Sequence, residues 1–256
     1  MGVVVDPLSV PPATSACPRS SLPPASEPSL IWHPRCPPRT VEQYRQLAHA
    51  VRRLRTGPEG IALAVTSALP AEGKTLTTVN LAASLAQSYG GRVLIVEADL
   101  RRPTIPTVLG LAHSGDGLSH WLMRQSSSDW PLIAVSPRLS LVPAGDLSAD
   151  PVALLTSRRL ATRLTAARSQ FEWIIVDTPP AGLLCDASEL SESLKGFLLV
   201  VAANRTPHTA IRQAISTLGR ERILGVVFNR AKDSARQRSQ YAEYYRPLAF
   251  GGSEPG

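Results

Sequence analysis

Three stretches of this chain carry residue types that can handle a phosphoryl group. In the first, Pro70, Ala71, Glu72, Gly73, Lys74 and Thr75 follow an apolar run, Ile61 to Val65, and precede a segment with apolar residues at 76, 79, 82, 83 and 86. The run reads as a buried strand and the later spacing as a helix, so Gly73, Lys74 and Thr75 fall at a helix start. A helix start offers unpaired N–H groups and a partial positive charge, and phosphate settles there. Pro70 through Leu76 would surround the phosphates, with Lys74 reaching the β- and γ-phosphates and the Thr75 hydroxyl ligating Mg²⁺. Ala68 and Ala71 stand where such loops commonly carry glycine. A left-handed Ala71 would cost roughly 1–2 kcal/mol, so the loop is expected to depart slightly from the standard shape.

The second stretch is Val93 to Val96, a continuous apolar run that leads into Glu97, Asp99, Arg101, Arg102 and Pro103. Glu97 and Asp99 are two apart and project to one side of a strand. The third is Phe171 to Val176, another apolar run, which ends in Asp177, Thr178, Pro179 and Pro180. In an open parallel sheet the carboxyl ends of the strands face the ligand. Carboxylates at two such ends are placed for Mg²⁺ or for proton transfer.

These residues need a scaffold, and the rest of the pattern supplies one. Thr40, with Gln43 three residues on, reads as a capping box opening a helix through Tyr44, Leu47, Val51 and Leu54 that stops at Gly57-Pro58. Its Arg45, Arg52, Arg53 and Arg55 make it basic. Further strands are expected at Leu139–Val142, Phe197–Ala202 and Ile223–Phe228, the last closed by Asn229. Helices are expected near Leu118–Arg124, from Pro151 to about Arg168, and near Pro207–Leu218. Alternating strands and helices with right-handed crossovers give an α/β fold, a doubly wound and mostly parallel sheet of the P-loop NTPase type over residues 41–231. Residues 1–40 hold 10 of the 23 prolines, a composition that reads as a disordered arm. Residues 232–256 read as a flexible tail carrying Tyr241, Tyr244 and Tyr245.

Composition narrows the function classes. The net charge of +7 comes largely from scattered arginines without aromatic interleaving, which argues against nucleic-acid binding. The three cysteines, Cys17, Cys36 and Cys185, form no CxxC pair and suggest reduced thiols and a cytosolic location. No apolar run approaches the length of a membrane span, and the N-terminus lacks a signal-peptide layout.

Taken together, the segments resemble the bacterial tyrosine kinases that control capsule and exopolysaccharide synthesis. Glu42 to Leu47 resembles that family's helix before the core. Thr66 to Thr75 resembles its Walker A, Val93 to Pro103 its Walker A′, and Ile174 to Pro180 with Asp186-Ala187 its Walker B. Pro143-Ala144-Gly145, Leu154-Leu155, Gly225 to Asn229 and the tail tyrosines also fit. Ala71, Glu97 and Ala48 depart from the family pattern: a loop glycine, the first aspartate of Walker A′ and an arginine of the oligomerisation motif are the residues usual there.

The resemblance implies a role for each matching position. Lys74 neutralises the transferred phosphate of ATP. Thr75, Asp99 and Asp177 hold Mg²⁺. Glu97 takes the place of a carboxylate near the attacking tyrosine oxygen, Arg101 stabilises the site or a neighbouring subunit, and Asn229 hydrogen-bonds adenine. Tyr241, Tyr244 and Tyr245 are the phosphoacceptors. The resemblance further implies a homo-oligomer, a separate transmembrane co-polymerase that activates the chain, an opposing tyrosine phosphatase, and a cytoplasmic protein recruited to the inner face of the plasma membrane through its partner. Two other functions fit the same motifs: a switch ATPase of the septum-site or partition type, and a catalytically weak nucleotide-dependent scaffold. The switch ATPases usually carry a lysine early in the loop, where this chain has Leu69.

Overall fold

A computed structural model describes residues 27–111, 115–124, 129–146, 151–183 and 193–231. The short apolar runs form the strands β1 (Ile61–Ser67), β2 (Val93–Glu97), β3 (Ile133–Ser136), β4 (Leu139–Val142), β5 (Trp173–Asp177), β6 (Phe197–Ala202) and β7 (Ile223–Asn229). They make one seven-stranded sheet in the order β3-β4-β2-β5-β1-β6-β7. All pairings are parallel except β3 with β4. The α/β fold expected from the sequence is therefore the observed one. The strand β3 has no counterpart in the sequence reading. It is four residues long and returns along β4 through the Pro137-Arg138 turn with a register shift, and so short a run carries little periodicity of its own.

Among the described residues the helices are α1 (Pro38–Arg52), α2 (Lys74–Tyr89), α3 (Ile105–Val108), α4 (Leu118–Met123), α5 (Pro151–Leu155), α6 (Arg158–Ala167) and α7 (His208–Leu218). The single helix expected after Pro151 is two, α5 and α6, broken between Leu155 and Arg158. Alternate residues of the central strands feed two cores. Ala62, Ala64, Leu94 and Val96 join α4, α6 and α7 on one face. Leu63, Val65, Ile95 and Ile175 join α1 and α2 on the other. Covering on both faces is why these strands read as continuous apolar runs rather than alternating ones. Helix α2 lies between the sheet and α1, and 11 of its 16 residues are buried.

Two N-terminal expectations change. Helix α1 begins at Pro38 rather than after a Thr40 cap; Pro37 occupies the cap position without a side-chain bond. The fixed φ of proline suits a first helical position, and its missing N–H is one that would go unpaired there anyway. Within residues 27–37, counted in the arm for their proline density, Leu30, Ile31 and Cys36 are buried. Leu30 is fully buried among Leu47, Val51 and α2 residues of the second core. The buried Asn80 of α2 accepts from Ile31 N at 3.0 Å and donates to Ser29 O at 3.0 Å. Averaging prolines over 40 residues hid the apolar run Leu30-Ile31-Trp32. Also on α1, Ala48 is fully buried, so it faces the core, while Glu42 and Arg45 pair with each other at 3.9 Å at the surface.

Candidate functional site

The site lies where the carboxyl ends of β1, β2 and β5 meet the start of α2. Register places Val65 of β1 and Glu97 of β2 both opposite Asp177 of β5. The ends are stitched together beyond the ladder: Ala98 N donates to Asp177 O at 2.8 Å, Thr178 N to Val65 O at 3.1 Å, and Thr66 Oγ1 to Pro179 O at 2.8 Å. This brings Asp99 and Asp177, 78 positions apart in sequence, onto one ammonium. Lys74 Nζ is 2.7 Å from Asp99 Oδ2 and 3.5 Å from Asp177 Oδ2.

Hydroxyls complete the cluster. Thr75 Oγ1 donates to Asp177 Oδ2 at 2.8 Å and Thr78 Oγ1 to Asp177 Oδ1 at 3.1 Å. Thr78 was not singled out from the sequence. Its signal was its spacing, one helical turn beyond Lys74 and three residues beyond Thr75, which puts all three near one face of α2.

Burial penalises the ionised Asp177 carboxylate and pushes its pKa up, against the charge of Lys74 and the hydrogen bonds of Thr75 and Thr78. Burial works in the same way against the Lys74 ammonium, but the charges of Asp177 and Asp99 and their hydrogen bonds outweigh it and hold the pKa above the ordinary lysine value.

The loop that opens α2 is held in a demanding shape. Ala71 has φ of +62° and Gly73 φ of +91°. Ala71 adopts the left-handed conformation in spite of its Cβ, at a cost of roughly 1–2 kcal/mol. Gly73 has no such freedom to change, because a Cβ there would stand 2.1 Å from Asn229 Nδ2. Helix α2 has no side-chain cap and no acidic residue in its first turn, so its first N–H groups point out beside Lys74. Pro70 and Ala71 are exposed, Glu72 is buried, and Leu76 packs partly on the second core.

An uncapped helix start with a lysine fits a phosphate chain. The Thr75 hydroxyl and the Asp99 and Asp177 carboxylates are all hard oxygen donors. They suit Mg²⁺, which takes one or two carboxylates together with phosphate oxygens.

The remaining expected residues are placed differently from one another. Glu97 is buried, with Oε1 accepting from Thr104 N at 2.7 Å and Ile105 N at 2.6 Å, and Oε2 accepting from Ala144 N at 3.0 Å. Burial raises its pKa against those three donors. With both oxygens engaged, it ties the β2 end to the α3 start and the β4 end rather than standing open to a tyrosine. Arg101 is exposed two residues beyond Asp99. Asn229 donates from Nδ2 to Glu72 O at 2.8 Å and accepts at Oδ1 from Arg230 N at 2.8 Å, so its amide lies against the loop. Asp186, Ala187, Tyr241, Tyr244 and Tyr245 lie outside the described residues.

The AAA domain profile covers residues 64–215, more than half of the chain. The tyrosine-protein kinase CpsD of Streptococcus agalactiae is 31% identical over 192 residues, 74% of this chain and 83% of that protein. The chain belongs to the bacterial tyrosine kinase family. The kinase is also similar to the succinoglycan biosynthesis transport protein ExoP of Rhizobium meliloti, 32% identical over 224 residues, which span 80% of this chain and 28% of that one. Among solved structures, the kinase domain of the Escherichia coli tyrosine kinase ETK superposes with a TM-score of 0.67 at 27% identity, covering 76% of this chain and 78% of that chain. Protein-tyrosine kinase activity is thus the activity of this chain, and its fold is a nucleotide-binding one. No helix among the described residues is long and apolar enough to cross a membrane.

Proposed function

We propose that this kinase transfers the γ-phosphoryl group of Mg·ATP to Tyr241, Tyr244 and Tyr245 in the tail of a neighbouring subunit, and that this autophosphorylation regulates exopolysaccharide or capsule polymerisation and export. The observation that supports it most is the convergence of Lys74, Thr75, Asp99 and Asp177 beside the uncapped start of α2. Mg·ATP would supply the phosphoryl group and the divalent charge. The protein's part in such a transfer is positioning and charge neutralisation. Lys74 would neutralise the transferred group, Thr75, Asp99 and Asp177 would hold the metal directly or through water, and Arg101, exposed at the rim, would meet the incoming segment. The tyrosine Oη would attack phosphorus as the bond to the bridging oxygen of ADP breaks, and the phenolic proton would leave to solvent.

The pathway role rests on the relatives. One is named for succinoglycan biosynthesis and transport, and its length beyond the matched region supports a partner for this chain: a transmembrane co-polymerase that recruits and activates it at the membrane. A tyrosine phosphatase would reset the tail. Each phosphotyrosine adds about −1.5 to −2 charge, so accumulation would loosen a homo-oligomer.

The test mixes a Lys74→Met chain that has an intact tail with an active chain whose Tyr241, Tyr244 and Tyr245 are Phe. Phosphotyrosine on the Lys74→Met chain supports transfer between subunits. Label confined to unmixed wild type, at a rate independent of concentration, contradicts it.

A further inference from the structure

The nucleotide loop is fastened at a point that the phosphate site does not account for. Glu72 is 3% exposed, and its side chain reaches the end of β6. Its Oε2 accepts from Leu69 N at 2.8 Å. Its Oε1 accepts from Ala202 N at 3.3 Å and receives the hydroxyl of Thr206. Thr206 Oγ1 also accepts from Ala202 N at 3.0 Å. The Glu72 carbonyl takes the Asn229 amide at 2.8 Å. One residue of the loop therefore gathers the loop's own start, the last residue of β6, the turn into α7 and the last residue of β7. The two residues beside it in sequence, Ala71 and Gly73, both have left-handed backbone.

We infer that Glu72 and Thr206 form a clamp that holds the strained loop in its phosphate-receiving shape, which makes Thr206 a positioning residue for nucleotide. The inference rests on the reading of Gly73-Lys74-Thr75 as the phosphate loop. A backbone that carries an unfavourable φ persists only where its surroundings over-determine it. Here those surroundings are a buried carboxylate with several donors and a side-chain amide. Charge-assisted bonds of this kind are stronger than neutral ones, and taking one donor from a buried carboxylate leaves it under-satisfied. The clamp also explains why Asn229 and Thr206 meet at one place: the ends of β6 and β7 are neighbours in the sheet, with Ala202 opposite Asn229. A shift of either strand end would be felt at Ala71 and Gly73 before it reached Lys74.

The test is calorimetric titration of the full-length chain with Mg·ADP, alongside thermal melting. Wild type binding Mg·ADP establishes the site; no binding by wild type would overturn the phosphate-loop reading itself. Thr206→Val removes the hydroxyl at nearly constant volume and is expected to raise the dissociation constant about tenfold, the equivalent of one lost charge-assisted bond. Thr206→Ser, which restores the hydroxyl, is expected to stay within about twofold of wild type, and Tm should fall for Thr206→Val and return with Thr206→Ser. Glu72→Gln, which keeps the shape but not the charge, should weaken binding to a similar degree, and it stands as the second probe if Thr206→Val does not fold. Wild-type affinity in a folded Thr206→Val or Glu72→Gln chain would overturn the clamp. So would a loss that Thr206→Ser shares.

Discussion

Lys74 Nζ and Asp99 Oδ2 lie 2.7 Å apart with side-chain exposures of 11% and 8%. A salt bridge this sheltered is costly to break from one side, because the partner is left as an uncompensated buried charge. Asp177, the second carboxylate on the same ammonium, is more deeply buried still.

Lys74→Met should therefore show a pH-dependent stability defect as well as weakened nucleotide binding. In wild type the folded Lys74 pKa is raised. Its contribution is complete below the unfolded lysine value of 10.5 and is lost only as pH climbs through the folded value. In the variant, Asp177 loses the charge that opposes its burial, so its raised pKa moves up further. A carboxylate whose folded pKa exceeds its unfolded one binds more protons folded than unfolded between those values, so stability falls as pH rises through that window. Urea unfolding should show the variant less stable than wild type by about 3–5 kcal/mol at pH 7.5, with the gap narrowing toward pH 5. A gap of equal size at both pH values would mean that the pair is not what Lys74 contributes.

Glu97 separates two roles by their readouts. Its oxygens hold the N–H groups of Thr104, Ile105 and Ala144. Glu97→Gln turns one oxygen into an NH₂ that can no longer accept, which should cost about 1–3 kcal/mol and lower Tm by several degrees. Phosphorylation measured well below the new Tm should be reduced but present. A chain with wild-type Tm and no phosphorylation would instead make Glu97 the base.

The N-terminal strap gives a third test. A shortened chain beginning at Arg39 loses Leu30, whose burial is worth roughly 1.5–3 kcal/mol, and leaves Asn80 without Ile31 N and Ser29 O. Thermal melting should place it below full length, and Asn80→Ala in the full chain should lower Tm in the same direction. Equal melting of the short and full chains would show that residues 27–37 contribute nothing to stability.

Much of the candidate site was legible because its motifs are local. Lys74 and Thr75 announce themselves through a strand, a loop and a helix in one continuous stretch, and Asp99 and Asp177 by ending apolar runs. Parallel sheets align such ends without help from side chains, so four residues found separately come to one point. What was not legible depends on contacts between distant segments. Thr206 matters only because β6 ends beside β7 and Glu72 turns toward them. Glu97 matched a carboxylate position in a motif, but its partners come from the α3 start and the β4 end, which no spacing reveals. Ala71 adopts a conformation that its side chain disfavours, and only the bonds around Glu72 and Gly73 account for it. Leu30 was masked by the prolines on either side of it.

The fate of the γ-phosphoryl group separates a kinase from a switch ATPase. Purified full-length chain given Mg·ATP should acquire phosphate on one or more of Tyr241, Tyr244 and Tyr245, mapped by mass spectrometry, while the Lys74→Met chain alone acquires none. ATP converted to ADP with all three tyrosines unmodified would contradict it and return the chain to the switch-ATPase reading.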